Sequence, residues 1–549
     1  MKKLYILFLF ILLTSESFAY SKYWIVFTDK NSTPYSISAP SAFLSARSIQ
    51  RRQTQNIPIT TYDLPVDPNY VAQVLATGTV TLNYKSKWMN AISITTTDAN
   101  ALTAIAALPF VQNVGPVLRA GRADHFSEAD DEVPVNMQLV GNGNSAQSYN
   151  YGASFGQVNQ INVDCLHDLG FNGAGKIIAV LDDGFANVNT VTAFDSIRIN
   201  NQILGTYDFV LGVQNVYNVG GHGTMCLSDM AANLPGQIIG TAPGASYFLL
   251  RTEDAATEYL IEEDHWVAGA EYADSAGADI IATSLYYTQF DDPSQNHTYA
   301  DMDGRTTVCA IAAAFTARVG ILTFACAGNS GSSPWFYIGT PADADSILAV
   351  GAVDASGNLA GFSSRGPSSD GRIKPDISAM GVNAIVVNSS GAVTTASGTS
   401  FATPLSAGGA ACLWQSAPTY SAMQLRHAIH MSSSQWANPD NLKGYGIPDF
   451  CLSNIILSQS QAEIVNENYF SVSPNPSDGE MNFSISIAAG KAGEIELFDM
   501  TGKLIRAVNI QPAQNNVVMH AEDLSEGIYF CRLMVNGEMV SGEKISVVK

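Results

Sequence analysis

The run Ile177-Ile178-Ala179-Val180-Leu181, entered from Lys176, contains no polar residue. A strand with one face in water alternates apolar and polar side chains. A strand with no polar face must be covered on both sides, which is the condition of a parallel sheet between helix layers. The run stops at Asp182-Asp183-Gly184. The carboxyl end of a parallel strand is where open α/β sheets place their functional groups, so this carboxylate pair is the first candidate site.

Two later stretches supply partners for it. Gly220-Gly221-His222-Gly223-Thr224 leads into Met225, Cys226, Leu227 and Met230 at helical spacing, which puts an imidazole at a helix start. Ser397-Gly398-Thr399-Ser400-Phe401-Ala402-Thr403-Pro404 puts a hydroxyl at another, followed by the small and apolar residues of a buried helix. Pro404 is expected in the first turn, where a missing N–H does least harm. Free N–H groups at a helix N-terminus favour developing negative charge, as a nucleophile forming an oxyanion requires. A serine nucleophile needs a base and the base needs an orienting carboxylate. The chain order is Asp182, His222, Ser400, with Asp182 preferred over Asp183 because it ends the strand.

Residues 155–458 resemble the subtilisin-like serine proteases, the subtilases. The resemblance rests on the three stretches above and on four more: Gly240-Thr241-Ala242-Pro243-Gly244-Ala245, Ala327-Gly328-Asn329-Ser330-Gly331, Phe362-Ser363-Ser364-Arg365-Gly366-Pro367 and Lys374-Pro375-Asp376-Ile377, all in family order. It implies an α/β fold, a parallel sheet with helices on both faces. It implies Ser400 as nucleophile, His222 as general base and Asp182 as the group that orients the imidazole. It implies Asn329 as an oxyanion donor, and Ser284, Leu285, Tyr286, Ala327 and Gly328 as the substrate rim.

The chain departs from the family pattern at three points. Met225 stands where many relatives have a second histidine, and Asp183 where most have Ser or Thr, although kexin-like members share the aspartate. Ala278 to Leu285 reads as the strand before the substrate-binding segment, and Tyr286-Tyr287 follow where glycine is usual. Successive strand residues face opposite ways. The preferred reading has Tyr286 pointing into the cleft and narrowing it; in the alternative Tyr286 points outward and Tyr287 lines the pocket.

Length and charge set the surroundings. At 549 residues the chain is too long for one ordinary domain. A net charge of −22 with only 14 % charged residues argues against a nucleic-acid partner. Residues 1–19 read as a signal peptide: a basic Met1-Lys2-Lys3, an apolar stretch from Leu4 to Leu13, and small residues up to Ala19. No other run is long enough to span a bilayer. The seven cysteines show no metal-ligand spacing and are read as buried and unpaired. No cofactor is expected for the chemistry. Asp291, Asp292, Asp301 and Asp303 are candidates for structural calcium, with a solvated acidic loop as the preferred alternative.

The flanks differ from the centre. Residues 20–118 read βαββαβ, a ferredoxin-like unit similar to the inhibitory propeptides of subtilases, with Arg51-Arg52 on a solvated helix face. Residues 119–154 read as a linker, as do 459–468. Residues 469–549 alternate as a small all-β sandwich, with Asn536-Gly537 a hairpin signal. Ser473-Pro474-Asn475-Pro476, Leu497-Phe498-Asp499-Met500-Thr501-Gly502-Lys503 and Leu524 to Tyr529 are similar to the C-terminal sorting domain of Bacteroidota proteins exported by the type IX system. The expectation is a secreted or surface-exposed serine endopeptidase made as a precursor. It would be monomeric, with protein or peptide substrates and the type IX machinery as partners. An inactive surface-binding protein on the same scaffold is the alternative from another class. A Ser-Glu-Asp acid peptidase is disfavoured by His222-Gly223-Thr224.

Overall fold

The apolar run forms the strand Ile177–Asp182, and all six of its residues are buried. The computed structural model describes residues 22–115, 149–465 and most of 469–548. The strand lies inside a seven-stranded sheet in the order Ile377–Met380, Leu348–Val353, Leu322–Cys326, Ile280–Thr283, Ile177–Asp182, Ser246–Arg251, Ile203–Asp208. Every pairing in it is parallel. Ile177, Ala179 and Leu181 pack under the helices Ile261–Ala276 and Val308–Arg318. The helix Thr399–Ser416 is buried from Thr399 to Trp414 and lies along five strands of the sheet. It comes so close to Gly240-Thr241-Ala242 that a Cβ on Gly408 would sit 2.0 Å from Thr241 Oγ1. That contact is the packing role of the Gly-Thr-Ala stretch.

Residues 22–115 form a four-stranded antiparallel sheet in the order Thr81–Ser86, Ala91–Thr95, Lys22–Phe27, Val111–Gly115. Alternation along the strands divides the labour. Ile25, Phe27, Ile92 and Ile94 meet Val71, Val74 and Ile105 in a core of their own. Trp24 and Ala91, from the other face, join the core of the seven-stranded sheet beside Trp266. The helix within this core between the first two strands is Pro68–Leu75, not the one that carries Arg51-Arg52.

That arginine pair corrects an expectation. The helix Ala46–Thr54 turns Arg51 and Arg52 toward the helix Ile261–Ala276, and both are buried. Asp274, itself fully buried, takes Arg51 at 2.5 Å, Arg52 at 2.9 Å and Lys87 at 2.6 Å. Arg52 also pairs with Asp63 at 2.6 Å. Burial alone would raise the Asp274 carboxyl, but Lys87, Arg52 and Arg51 together hold it well below the usual range. Trp24 Nε1 donates to Asp264 Oδ1 at 2.7 Å along the same helix. Removing one member of a buried ion cluster leaves uncompensated charge and costs about 3–5 kcal/mol. Asp274→Ala is therefore expected to weaken binding of a separately supplied 22–115 segment to the rest of the chain ~10²–10³-fold. A binding titration between the two pieces checks it.

The cysteine reading also needs correction. Cys165 and Cys451 form a disulfide, with Cα atoms 5.9 Å apart and 286 residues between them in sequence. Two helices that begin far apart in the chain, Val163–Asp168 and Phe450–Val465, meet there. Cys226, Cys309, Cys326, Cys412 and Cys531 are free and buried, as expected.

The described residues divide into two compact units that part at Ile456 and Leu457. Helix Phe450–Val465 continues through 459–465, so the first part of the supposed linker is helical. Residues 149–154, assigned to the earlier linker, are also structured: Gly152 bridges Ile238, and Ser154 Oγ donates to the Ile239 carbonyl at 3.0 Å. The signal-peptide residues and most of 119–154 lie outside the described residues. The C-terminal unit holds two antiparallel sheets, Tyr469–Ser473 with Glu480–Ser486 and Asn516–His520, and Leu504–Ile510 with Gly493–Asp499, Gly527–Val535 and Glu538–Val547. Phe470, Phe483, Leu497 and Leu533 are among its core. The strands flanking Asn536-Gly537 pair as a hairpin, Val535 opposite Glu538; the two turn residues themselves lie outside the described residues.

Candidate active site

Asp182 ends its strand fully buried, and His222 opens the helix His222–Ala231 beside it. His222 Nδ1 lies 2.7 Å from Asp182 Oδ1, which also accepts the Asp183 N–H at 2.9 Å. Asp183 has a different task, accepting the Gly223 N–H at 3.0 Å. Glycine is required at 223, because a Cβ there would lie 2.3 Å from the Gly184 carbonyl oxygen and 2.9 Å from Asp182 Cβ. Burial works against a charge on His222, but the field of Asp182 prevails and raises its pKa well above the usual 6.5. The Asp183 carboxyl is pushed up to about 6, first by burial and then by Asp182.

Ser400 is the second residue of its helix and shares one cleft with His222, Asp183, Ser284, Leu285 and Tyr286. Its Oγ donates to the Ser284 carbonyl at 3.4 Å in this conformer. Pro404 stands a full turn into the helix rather than in the first turn. Its missing N–H is the one that would bond the Ser400 carbonyl. That carbonyl instead accepts from Ser284 Oγ at 2.8 Å and Cys226 Sγ at 3.4 Å. The proline thus ties the helix start to the neighbouring strand end.

Asn329 follows the strand Leu322–Cys326. Its Oδ1 accepts from Thr399 N at 2.9 Å and from Thr399 Oγ1 at 3.1 Å. With the oxygen held twice, the Nδ2 end is left as the free donor beside the start of the Ser400 helix. The Phe362-to-Pro367 stretch braces this loop: Ser364 N donates to the Gly328 carbonyl at 2.9 Å, and Ser364 Oγ accepts from Ser330 N at 3.0 Å.

The comparisons bear directly on this arrangement. Residues 173–446 match the family model for the subtilase family. Over 281 residues, the chain is 32 % identical to subtilisin DY of Bacillus licheniformis, spanning 50 % of this chain and 89 % of that protein. The chain belongs to the subtilase family. It is 30 % identical over 295 residues to subtilisin of Bacillus pumilus, covering 93 % of the latter and 53 % of this chain. Subtilisin E of Bacillus subtilis matches at 31 % over 299 residues, 53 % of this chain and 68 % of the relative. Residues 22–128 match the peptidase S8 propeptide domain of Bacteroidota, and 471–548 a secretion-system C-terminal sorting domain. This subtilase is a serine-type endopeptidase made as a secreted precursor. It is exported by the type IX system to the cell surface or beyond.

The tyrosines that set this subtilase apart divide as alternation requires. Tyr287 is fully buried and donates its hydroxyl to Glu253 Oε2 at 3.2 Å. Tyr286 is half-buried and lines the cleft. Its ring lies over Gly328 and Gly339, where a Cβ would come within 3.0 Å and 2.8 Å of it. Gly328 also has φ +104°, a conformation that itself selects glycine. Ala327 is buried behind that loop.

The four calcium candidates are engaged separately. Asp291 Oδ2 accepts from Glu258 N, Asp292 caps Ser294 N, Asp301 caps Thr298 N, and Asp303 takes Arg305 N and Thr306 N. Among the described residues, acidic, histidine and cysteine side chains gather within metal-binding range in two places, and none of these four belongs to either. One is Asp182, His222 and Cys226; the other is Glu253, Glu258 and Glu262. Cys226 Sγ lies 3.7 Å from His222 Nδ1, but burial, and then Asp182, push its thiol up to about 12. It is a neutral packing group, not a rival nucleophile. Glu253 and Glu258 line the cleft and were missed in the sequence. The available signal was their place just past the strand Ser246–Arg251, at the functional end of the sheet.

Proposed function

We propose that Ser400, His222 and Asp182 form the catalytic triad, and that hydrolysis of protein substrates passes through an acyl-enzyme on Ser400. The observation that carries this reading is the 2.7 Å contact between His222 Nδ1 and Asp182 Oδ1 in the cleft that also holds Ser400. Asp182 fixes the tautomer with the proton on Nδ1, so Nε2 is the basic nitrogen. Rotation of the Ser400 side chain away from the Ser284 carbonyl hands its proton to Nε2 as Oγ attacks the scissile carbonyl. The new oxyanion takes hydrogen bonds from Asn329 Nδ2 and the Ser400 N–H, an early amide of its helix. His222 then protonates the leaving amine, and water repeats the sequence to release the acid. The reading assigns 1–19 to a signal peptide, 20–118 to an inhibitory propeptide, 155–458 to the peptidase and 469–549 to sorting. A fluorophosphonate that traps activated serines, followed by peptide mapping, tests it. The adduct belongs on Ser400, and an adduct on any other residue refutes the assignment.

Tyr286 sets the width of the cleft in this reading. Its ring covers Gly328 and Gly339, where an extended peptide would lie along the strand end. Tyr286→Gly is expected to favour bulky side chains beside the scissile bond by about 1–3 kcal/mol in relative kcat/KM. Cleavage profiling with a peptide library reads this directly; an unchanged profile places Tyr286 outside the pocket.

A further inference from the structure

Glu253 and Glu258, on the loop at one wall of the cleft, and Glu262, in the first turn of the helix Ile261–Ala276, have carboxylate oxygens within 4.8 Å of one another. Each is held in place. Tyr287 donates its hydroxyl to Glu253 at 3.2 Å. Glu258 and Asp291 clamp each other through Glu258 N to Asp291 Oδ2 at 3.1 Å and Asp291 N to the Glu258 carbonyl at 2.8 Å. Glu262 closes the loop by accepting the N–H groups of Asp254 at 3.2 Å and Tyr259 at 3.3 Å. None of the ion pairs among the described residues includes any of the three. Arg251, the basic residue at the root of the loop, is engaged elsewhere, with Asp208 at 3.0 Å and Asp254 at 3.1 Å. Burial pushes all three carboxyls up, helped by Glu258 at Glu253, by Glu253 and Glu258 at Glu262, and by Asp291 and Glu263 at Glu258, which rises to about 7. Like charges kept this close without a counter-ion favour a cation brought in from outside.

A second observation says what that cation belongs to. Glu253 and Glu258 line the same cleft, of about 440 Å³, as Ser400 and His222. In an endopeptidase the molecule held there is a peptide. We infer that Glu253 and Glu258 are specificity-determining residues that receive a lysine or arginine side chain of the substrate, within a few residues of the scissile bond. The inference rests on the assignment of Ser400 as nucleophile. The chain itself offers such a ligand: Arg119 and Arg122 are the only Lys or Arg between positions 116 and 175, the stretch joining propeptide to protease. Carboxylates paired with an incoming guanidinium gain charge-assisted hydrogen bonds that a neutral side chain cannot replace.

The test uses the mature enzyme and two peptides: one spanning residues 116–127 of this chain, and its counterpart with both arginines replaced by glutamine. The expected result is a kcat/KM at least about tenfold higher for the arginine peptide. In Glu253→Gln/Glu258→Gln that ratio should fall to near one. Because the ratio is taken within each variant, a general loss of activity does not affect it, and Glu258→Gln alone serves if the double variant does not fold. A wild-type ratio near one overturns the inference, as does a ratio that survives in the variants. Ser400→Ala run alongside separates the two levels. If it cleaves both peptides like wild type, the nucleophile assignment fails and takes this inference with it. A Ser400-dependent enzyme indifferent to arginine overturns only the role of the glutamates.

Discussion

Ser400→Ala is expected to lower kcat ~10⁶-fold, the scale at which a subtilisin loses activity when its serine is removed. The magnitude follows from the arrangement. Removing Oγ removes the attacking atom, while Asn329 and the start of the Ser400 helix remain to stabilise charge. Residual turnover should therefore stand ~10³-fold above water. The change deletes one oxygen whose partner in this conformer is the Ser284 carbonyl at 3.4 Å, so the melting temperature should stay close to that of the parent. Steady-state kinetics and a thermal melt together check it. The same variant should accumulate full-length precursor if maturation is autocatalytic. Hydrolysis by the alanine variant at the parent rate would refute the assignment.

Asp182→Asn should cost ~10⁴ in kcat and also move the pH profile. In the parent, Asp182 stabilises the protonated imidazole and raises the His222 pKa well above 6.5. The base is active only when neutral. Activity therefore grows as pH rises through that raised pKa and is lost as pH falls below it. The acid limb is therefore expected above the 6.5 that an unperturbed histidine would set. With asparagine at 182 the cation loses its partner, and the limb of the remaining activity should shift toward lower pH. A kcat/KM profile for both proteins decides the matter. A limb that stays in place would mean that Asp182 does not set the charge state of His222.

The legible parts of this protein were those encoded locally. A strand without a polar residue, a carboxylate at its end, and a hydroxyl and an imidazole at helix starts are each contained in fewer than about ten residues. Asp182, His222 and Ser400 could be picked out for that reason. The illegible parts depend on partners far along the chain. Arg51 and Arg52 look like a solvated pair until Asp274 arrives from more than two hundred residues later. Cys165 and Cys451 carry no spacing signal. Glu253 and Glu258 read as loop charges because Tyr287 and Asp291, which position them, belong to a different strand end. Pro404 was placed correctly on its helix but a turn too early, so its effect on the Ser400 carbonyl was not visible from sequence.

The disulfide between Cys165 and Cys451 has a topological consequence. Asp182, His222, Asn329 and Ser400 all lie on the stretch of backbone it closes, so the proposed catalytic machinery is borne by a covalent ring. A linear chain cut once falls into two pieces. A ring cut once stays in one, held by the packing that surrounded the break and by the bond opposite it. An exported peptidase is exposed to other copies of itself, and a nick in one of its surface loops would open this ring without releasing either end. Only reduction, or a second cut, would let a fragment leave.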